Sequence, residues 1–470
     1  MMHKRSIQKK LFMNKILTFQ FCFIFFFVSS CTSIFSKKQK KLRKFLENQE
    51  FQKAKDLLEK DKKLINGKNK FIYSFDLGIV LQELGNYKLS NKYLENAYSL
   101  FDNFLQKPIE EIFAFLINPN IASYRGEIHE GLFSNYFKAI NFIYLNDLEK
   151  ALIECKRCHN LHLIYMDKME GKAGFTADAF FQLFMGIIYQ ASEDYNNAFI
   201  AYRNSLKIYE DLYLPLFNIS PPKQLIKDLI FSAYMCGFDS EVENLQEKYK
   251  MKDYDPKSEE NMHNSLVFWH NGLVPIKESI EINFVAVPGV AGVVNLQNKD
   301  LNIFVTLPDL SSKDSNAFLD MKFVRFAIPK YSKTENNFYD LKINLDNKLY
   351  SLEIAENIES IAIQTLNDRI KWEISKTLIR VAIKQLSQYL VSKQNQTLGL
   401  ALGVFNFISE GADERSSQAL PKTISYTRIK TQNPLKNISY NIYSKKAVYK
   451  KSLKNIPISK KTDLFIIRTI

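Results

Sequence analysis

The chain has few of the residues on which small secreted folds and metal centres depend. Its 470 residues include five cysteines, six histidines and fifteen glycines. Cys22 and Cys31 belong to an N-terminal leader segment, which leaves three cysteines for the rest of the protein. Three thiols in so long a chain cannot provide a disulfide framework, so a hydrophobic core must hold the fold.

The sequence motifs of common enzyme classes are also missing. There is no Gly-x-Ser-x-Gly, no His-Glu-x-x-His and no phosphate-binding loop. The segment 287–293 has two glycines but lacks the Lys-Ser/Thr pair of such a loop, and it is interpreted as a hairpin or an irregular loop. We therefore expect a protein without enzymatic activity, without a cofactor and without a bound metal.

Cys155-Lys156-Arg157-Cys158-His159 matches the C-x-x-C-H pattern of c-type haem attachment. The two cysteines lie one helical turn apart, at positions where a neighbouring helix packs, and this favours ordinary buried thiols. Haem, a zinc ion held together with His162, and a local disulfide are the alternatives. No residue is distinguishable as the second axial ligand of a haem iron.

The N-terminus has the order of parts of a bacterial lipoprotein signal. Residues 1–15 carry five cations and no acid, Ile16–Val28 is apolar, and Val28-Ser29-Ser30-Cys31 ends it. The apolar run is short for a membrane span, which needs roughly 20 residues. We therefore predict a lipid on the thiol of Cys31 after cleavage, with an uncleaved anchor as the alternative.

These features predict a cell-envelope location, attached to the membrane through the lipid on Cys31. Thr32, in place of Asp, favours the outer membrane and a periplasmic position. The formal charge of +14 includes a basic cluster over 37–44, which could contact anionic head groups; a lysine-rich compositional bias is the alternative. No recognition-module signature indicates nucleic acid, and envelope proteins are the expected partners.

Residues 37–250 have the pattern of paired helices. Four segments share a small or polar pair before an aromatic residue or Leu, then a small residue three positions later: Ala54, Ser90, Ala151 and Ala198. Large-small steps at Leu77-Gly78 and Met185-Gly186 predict close helix contacts. This pattern resembles the tetratricopeptide repeat (TPR), whose helix pairs stack into a solenoid. A fifth, weaker unit centres on Cys236-Gly237-Phe238.

The inner surface of such a solenoid is the predicted partner groove. An apolar inner face suits an extended peptide or a helix. The alternative is that inserts between the repeats, or the C-terminal half, cover this face. The candidate groove residues are Phe133, Tyr136, Ile140, Tyr144, Phe180, Leu183 and Ile187.

After residue 264 the period of the sequence changes to that of strands. Short runs rich in β-branched and aromatic residues lie at 265–269, 276–287, 301–307, 323–328 and 341–345. A helical period returns over 353–391, and the apolar run 398–408 is too short to span a membrane. Further strands are predicted at 424–429, 438–443, 447–449 and 464–470.

Short segments occurring in a fixed order resemble a family of large bacterial lipoproteins with TPR-like repeats and a C-terminal β-containing region. They lie at 124–127, 138–142, 201–203, 271–277, 327–329, 377–380 with 384, 412–416 and 420–421. The resemblance covers roughly residues 120 to 470 and implies architecture and location, without an activity. Ser417 stands where the family form has Trp.

Two polar pairs in these segments form a candidate interdomain brace or anion site. Arg380 and Lys384 lie at i and i+4 of a predicted helix and could bind a carboxylate or a phosphate. Asp413 and Arg415 could form a charge-assisted pair next to the terminal strands.

The fold class predicted from these observations is α+β, with a TPR-like α-solenoid followed by a mixed β/helix region and a small terminal β module. The predicted units are a signal peptide (1–30), helical repeats (31–250), a linker (251–264), a β-rich region (265–350), a helical segment (351–415) and the β module (416–470). The predicted function is that of an envelope scaffold acting through its repeats. Binding of a glycan or lipid by the C-terminal half is the alternative.

Overall fold

The computed structural model describes residues 37–61, 65–107, 123–168, 175, 178–290, 293–300, 302–307, 311–394 and 412–470. Cys31, the signal segment and the apolar run 398–408 therefore lie outside the described residues. The same holds for the side chains of residues 371–377 and 380.

Paired helices make up the first half of the chain, as predicted. In order they are α1 (37–47), α2 (Phe51–Glu59), α3 (Lys70–Glu83), α4 (Tyr87–Leu105), α5 (Ile128–Tyr144), α6 (Leu148–Lys168), α7 (Ala179–Ala191), α8 (Tyr195–Ile208), α9 (Leu214–Phe217), α10 (Lys223–Met235) and α11 (Asp239–Lys248). A π-helical turn, Tyr209–Tyr213, joins α8 to α9. In the part of the chain that the structure describes, no helix is both long and apolar enough to cross a membrane.

Five helix hairpins share one turn geometry, which identifies them as equivalent repeats. The middle residue of each turn is left-handed, with φ between 57° and 75°, at Gln49, Gly85, Asn146, Glu193 and Gly237. Only two of the five are glycine, the residue that adopts this conformation without steric cost. The fifth, weaker unit of the sequence pattern has the same turn as the other four.

The helices of each hairpin approach closely at the small residues that the pattern singles out. Ala54, Ser90, Ala151 and Ala198 are fully buried. A Cβ atom added at Gly78 would lie 2.6 Å from Cγ of Leu94, and one at Gly186 would lie 2.5 Å from the ring of Tyr202. The prediction of close helix contacts at these two glycines is confirmed.

The second half of the chain contains three sheets. The strands are β1 (His263–Asn271), β2 (Ile276–Pro288), β3 (Val294–Asn298), β4 (Ile303–Leu307), β5 (Phe323–Ser332), β6 (Phe338–Leu345), β7 (Lys348–Ser351), β8 (Glu353–Asn357), β9 (Thr423–Thr431), β10 (Asn437–Ser444), β11 (Val448–Lys454), β12 (Ile456–Ser459) and β13 (Thr462–Thr469). Sheet A has the order β12-β13-β1-β9-β8, sheet B the order β4-β3-β2-β5, and sheet C the order β11-β10-β6-β7.

Sheet A lies between the helical repeats and sheet C. Its central strand β1 is buried at every residue. Because strand side chains alternate between faces, Leu266 and Phe268 join the core of the repeats, whereas Val267 and Trp269 join the core shared with sheet C. The repeats, sheet A and sheet C therefore form three successive layers.

Sheet B packs against two helices of the second half. These are α12 (Ser312–Met321) and the 37-residue α13 (Ile358–Gln394). Phe284 and Leu296 of the sheet share a core with Phe318 of α12 and Leu378 of α13. This second core leaves the other face of sheet B turned away from the helices.

The α+β class, with helical repeats followed by a mixed β/helix region, is confirmed. Each of the nine predicted strand segments overlaps an observed strand, while β3, β7, β8 and β12 were not predicted. The strands after residue 416 complete sheets A and C together with earlier strands: β9 lies between β1 and β8, and β10 pairs with β6. Sheet formation therefore crosses the predicted boundary at residues 415 and 416.

Candidate functional site

The predicted groove residues lie together on the inner side of the repeats, but they do not line an open groove. Phe133, Tyr136, Ile140, Phe180, Leu183 and Ile187 are buried, each at most 2 % exposed. Tyr144 is half-buried and stacks on Tyr87, with ring centroids 4.2 Å apart. The expectation of an accessible apolar groove is thus corrected by the arrangement of the chain itself.

Strand β1 of sheet A occupies the face where a partner was expected. The hydroxyl of Tyr136 lies 2.9 Å from Nε2 of His270, and Phe268 meets the edges of Phe180 and Phe184. These contacts bury apolar surface on both sides. The covered groove was the alternative left open by the sequence, and the C-terminal half provides the cover.

A buried arginine fixes sheet A to the later repeats. Arg428 of β9 pairs with Asp228 of α10, with Nε 2.8 Å from Oδ1, and both side chains are at most 2 % exposed. Its Nη2 also donates to Oε1 of Gln190 at 3.0 Å and to the Tyr202 hydroxyl at 3.3 Å. Burial opposes the charge of Arg428, but Asp228 outweighs it and raises the pKa of the guanidinium.

A second buried ionic cluster fixes sheet B and α13 to the earlier repeats. Glu127, at the start of α5, accepts from Nζ of Lys277 at 2.6 Å and from both terminal nitrogens of Arg369 at 2.7 and 3.1 Å. Burial alone would raise the pKa of Glu127. Arg369 and Lys277 outweigh burial and hold that pKa well below its usual range.

Two further carboxyl groups bind the segment that follows residue 411. Glu130 accepts from the backbone N–H of Ser417 at 2.6 Å, and Asp76 accepts from the Ser417 hydroxyl at 2.5 Å. Burial raises the pKa of Asp76 and of Glu130 to about 7 each. Hydrogen bonds to both groups, and the charge of Lys277 at Glu130, lower these pKa values, but burial outweighs them. The position where the resembling family has Trp thus carries a serine that both carboxyl groups bind.

The candidate polar brace is only partly formed as predicted. Arg415 binds Asp413 through two parallel contacts of 2.8 Å, and its guanidinium lies 5.2 Å from the ring centre of Tyr124. This pair therefore contacts the repeats. Lys384 lies 15 positions beyond Arg369 on α13, which is about 22 Å along the helix axis. The side chain of Arg380 lies outside the described part.

Arg369 is a cation of α13 that reaches the buried cluster, and it was not among the predicted brace residues. Together with Lys277 and Arg428, it lies at the junction between the helical repeats and the second half of the chain. The sequence did not predict these three residues as a site. Lys277 does fall in a segment that carries the family resemblance, as do Tyr124, Glu127 and Asp413. Their position in these segments is the signal in the sequence that could have pointed to the cluster. The structure shows that the segments meet there.

Asp178 and Glu356 are buried carboxyl groups on the other side of the junction. Neither has a cationic partner among the described contacts. Tyr213 donates to Oε2 of Glu356 at 3.0 Å, and Asp178 accepts from the backbone N–H of Phe181 at 2.9 Å. Burial raises the pKa of both Asp178 and Glu356, and the charge of Asp178 raises that of Glu356 further. This pair is therefore stable with at least one proton bound.

Cys155 and Cys158 are core residues of α6. Both are buried free thiols, and burial raises the pKa of each, so neither is a reactive thiolate at neutral pH. They line a cavity of about 50 Å³ with His159, His162 and Asp178. No group of three or more His, Cys, Asp or Glu side chains suited to a metal ion occurs within the described ranges.

The outward face of sheet B carries an exposed apolar row. The strand register places Phe304, Gln297, Val285 and Phe323 side by side across β4, β3, β2 and β5. Phe304 is 61 % exposed, Val285 49 % and Phe323 47 %. Val290, at the adjoining β2–β3 loop, is 89 % exposed. Large side chains are normally buried, so a contiguous exposed row is typical of a contact surface.

Comparison with known proteins gives little beyond these observations. No protein-family model and no curated protein matches the chain. A crystal structure of nearly identical TPR-like repeats of a Podosopora anserina protein described as a kinesin light chain is 14% identical, covering 46% of this chain and 93% of that one, with a TM-score of 0.31. The assembly chaperone of RpL4 (Acl4) is 17% identical, covering 47% and 91%, with a TM-score of 0.21.

Proposed function

We propose that the protein is a non-enzymatic scaffold of the cell envelope, tethered by a lipid on Cys31, which contacts another protein through the outward face of sheet B. The observation that carries this proposal is the exposed row of Phe304, Val285 and Phe323. Strand β1 fills the groove of the repeats, so we place the partner contacts on a surface that the described residues leave uncovered.

The repeats then have a structural role. They hold sheet A through apolar contacts and through the buried pair of Arg428 and Asp228, and sheet A in turn carries sheet C. Arg369 and Lys277 connect the same helices to α13 and to sheet B. The arrangement presents sheets B and C on a firmly joined base, as a scaffold requires.

The predicted lipid on Cys31 would keep this base near the membrane. The described part of helix α1 starts at residue 37, six residues after Cys31. Six residues span at most about 22 Å, so the first repeat would stay close to the head groups. The exposed lysines of the 37–44 cluster are then within reach of an anionic surface: Lys37, Lys40, Lys41 and Lys44. Arg43 is buried and donates to the carbonyl of Val274 instead, and Lys38 pairs with Asp61.

Site-specific photo-cross-linking in cells tests the proposal. A photoreactive amino acid is placed at position 304 in the outward row or at position 153, where Ile153 is 50 % exposed on the repeats. We expect one discrete adduct with an envelope protein from position 304 and none from position 153. The adduct should be lost in the Cys31→Ala variant, because the protein would leave the membrane surface.

The outcomes separate the parts of the proposal. An adduct from position 304 that persists in Cys31→Ala would contradict the tether and leave the contact surface intact. The absence of any protein adduct from position 304, with a protein that is folded and correctly located, would overturn the scaffold function.

A further inference from the structure

The outward face of sheet C differs from that of sheet B in being polar and basic. On β10, Ile438, Tyr440 and Ile442 point into the core shared with sheet A. The alternate residues therefore point outward, and the register places Lys450, Asn441, Lys342 and Ser351 in one row across the sheet. The next row contains Ser452, Ser439 and Asn344 and ends at the exposed Leu349.

Two tyrosine rings stand beside these rows. Tyr339 is 65 % exposed, and its ring centre lies 6.5 Å from that of Tyr443. The ammonium group of Lys342 lies 5.7 Å from the centre of the Tyr443 ring. An aromatic face, amide and hydroxyl groups and a cation are thus combined on one flat surface.

The charge of this surface is unbalanced. Asp340 is the acid within the rows, and its contact with Lys342 is 3.6 Å. The hairpin of β10 and β11 carries Lys445, Lys446, Lys450, Lys451 and Lys454 and contains no acid. Among the described residues an ion pair is formed only by Lys445, with Glu335. Lys450 and Lys454 lie on the outward face and are available to an anionic ligand, whereas Lys451 is paired with Tyr440 on the other face.

We propose that the outward face of sheet C binds an acidic polysaccharide. The C–H face of a sugar ring packs on an aromatic ring, whose face is electron-rich. Asn and Ser side chains match the hydroxyl groups of the sugar, and Lys342 and Lys450 match carboxylates through charge-assisted hydrogen bonds. Strands 4.7–4.9 Å apart provide these groups at a spacing similar to the length of a sugar unit.

This inference is independent of the scaffold proposed above, because it uses a different sheet and needs neither the lipid nor a protein partner. The binding test therefore uses the purified full-length protein in detergent. The probe is a hyaluronan octasaccharide, with a neutral oligosaccharide of equal length and polyglutamate as comparisons, and the readout is the Kd from calorimetry.

We expect the protein to bind hyaluronan more tightly than either comparison ligand. The K342S/K450S variant should bind it about tenfold more weakly or worse, because two charge-assisted contacts are lost. Tyr443→Ser should also weaken binding. The control K207S/K252S removes the same charge from exposed positions on the repeats and should bind like the wild type.

Three results would overturn the proposal. These are no measurable binding of hyaluronan, equal binding of polyglutamate, or equal loss in the control variant. The last two would indicate general attraction of polyanions. Binding of phosphatidylglycerol vesicles that depends on Lys342 and Lys450, without binding of hyaluronan, would assign the surface to a lipid instead. All the variants change outward residues, and circular dichroism checks that each is folded.

Discussion

The inner face of the repeats and the outward faces of sheets B and C have opposite properties. The inner face is closed by β1 and crossed by buried charge pairs, such as Arg428 with Asp228. The outward faces keep large side chains such as Phe304 and Tyr339 exposed. A repeat architecture alone therefore does not locate a binding surface, because the rest of the chain decides which face stays open.

The two sides of the closed junction also differ in how their charges are balanced. Glu127 is matched by Lys277 and Arg369, and it is ionised at any ordinary pH. Asp178 and Glu356 are packed against tyrosine and backbone groups instead, and they favour the protonated state. Neutralising Glu127 should therefore destabilise the protein, whereas for Asp178 and Glu356 it is ionisation that should destabilise it.

The largest effect is expected from breaking the Arg428 pair. Arg428→Met leaves Asp228 buried without its cation, which typically costs about 3–5 kcal/mol of the free energy of unfolding. Chemical denaturation monitored by circular dichroism measures this change. The double variant D228L/R428M removes both charges and should recover most of the loss. A single variant that costs less than about 1 kcal/mol would contradict a tightly closed junction.

A smaller effect is expected from crowding the contact inside a repeat. Gly186→Ala places a Cβ atom 2.5 Å from the Tyr202 ring, so the hairpin of α7 and α8 must open. Such overpacking typically costs about 1–3 kcal/mol. Thermal unfolding measures the change, with Asn196→Ala on the exposed side of α8 as the control. Equal unfolding temperatures for the two variants would contradict the close contact.

Much of this fold can be predicted from the sequence because local patterns determine it. The turn residues at 85, 146 and 193 and the small residues that follow them identify the repeats. Residues 266–269 are apolar without alternation, which is typical of a strand buried on both faces. β1 is such a strand.

The closed groove and its ion pairs could not be predicted, because their partners are far apart in sequence. Glu127 and Arg369 are separated by 242 positions, and Arg428 and Asp228 by 200. Periodicity reports which residues are buried, but not what buries them. For that reason the spacing predicts that Phe180 and Tyr136 share an inner face, but it does not identify the strand that covers them.

The pH dependence of stability tests whether the carboxyl groups at the junction are closed off from water. Asp76 and Glu130 have pKa values of about 7 when folded, against about 4 in an unfolded chain. The folded protein therefore binds more protons between those values, and stability falls as pH rises through this window. Buried His129 and His270, with lowered pKa values of about 4 and 3, act oppositely, but mainly below pH 6.5.

Asp178, whose pKa burial also raises to about 7, acts in the same direction as Asp76 and Glu130. The net expectation is a free energy of unfolding about 1–2 kcal/mol higher at pH 6.5 than at pH 8. Urea denaturation at the two pH values measures it. Glu130→Gln should reduce the difference, even though the amide disturbs the hydrogen bond to Ser417 and lowers stability overall. A free energy of unfolding that rises from pH 6.5 to pH 8 would show that these carboxyl groups ionise freely and that the junction is open to water.

The smallest effect on stability is expected on the open side. In F304S/F323S both changed side chains are about half exposed and extend from the outward face of sheet B. Surface substitutions of this kind usually change stability by no more than about 0.5 kcal/mol. Denaturation should therefore match the wild type. A photoreactive amino acid at position 285, in the same row, should cross-link the partner in the otherwise unchanged protein and lose this cross-link in F304S/F323S. A loss of more than about 2 kcal/mol would mean that the row belongs to a core, and the contrast between a closed inner face and open outward faces would fail.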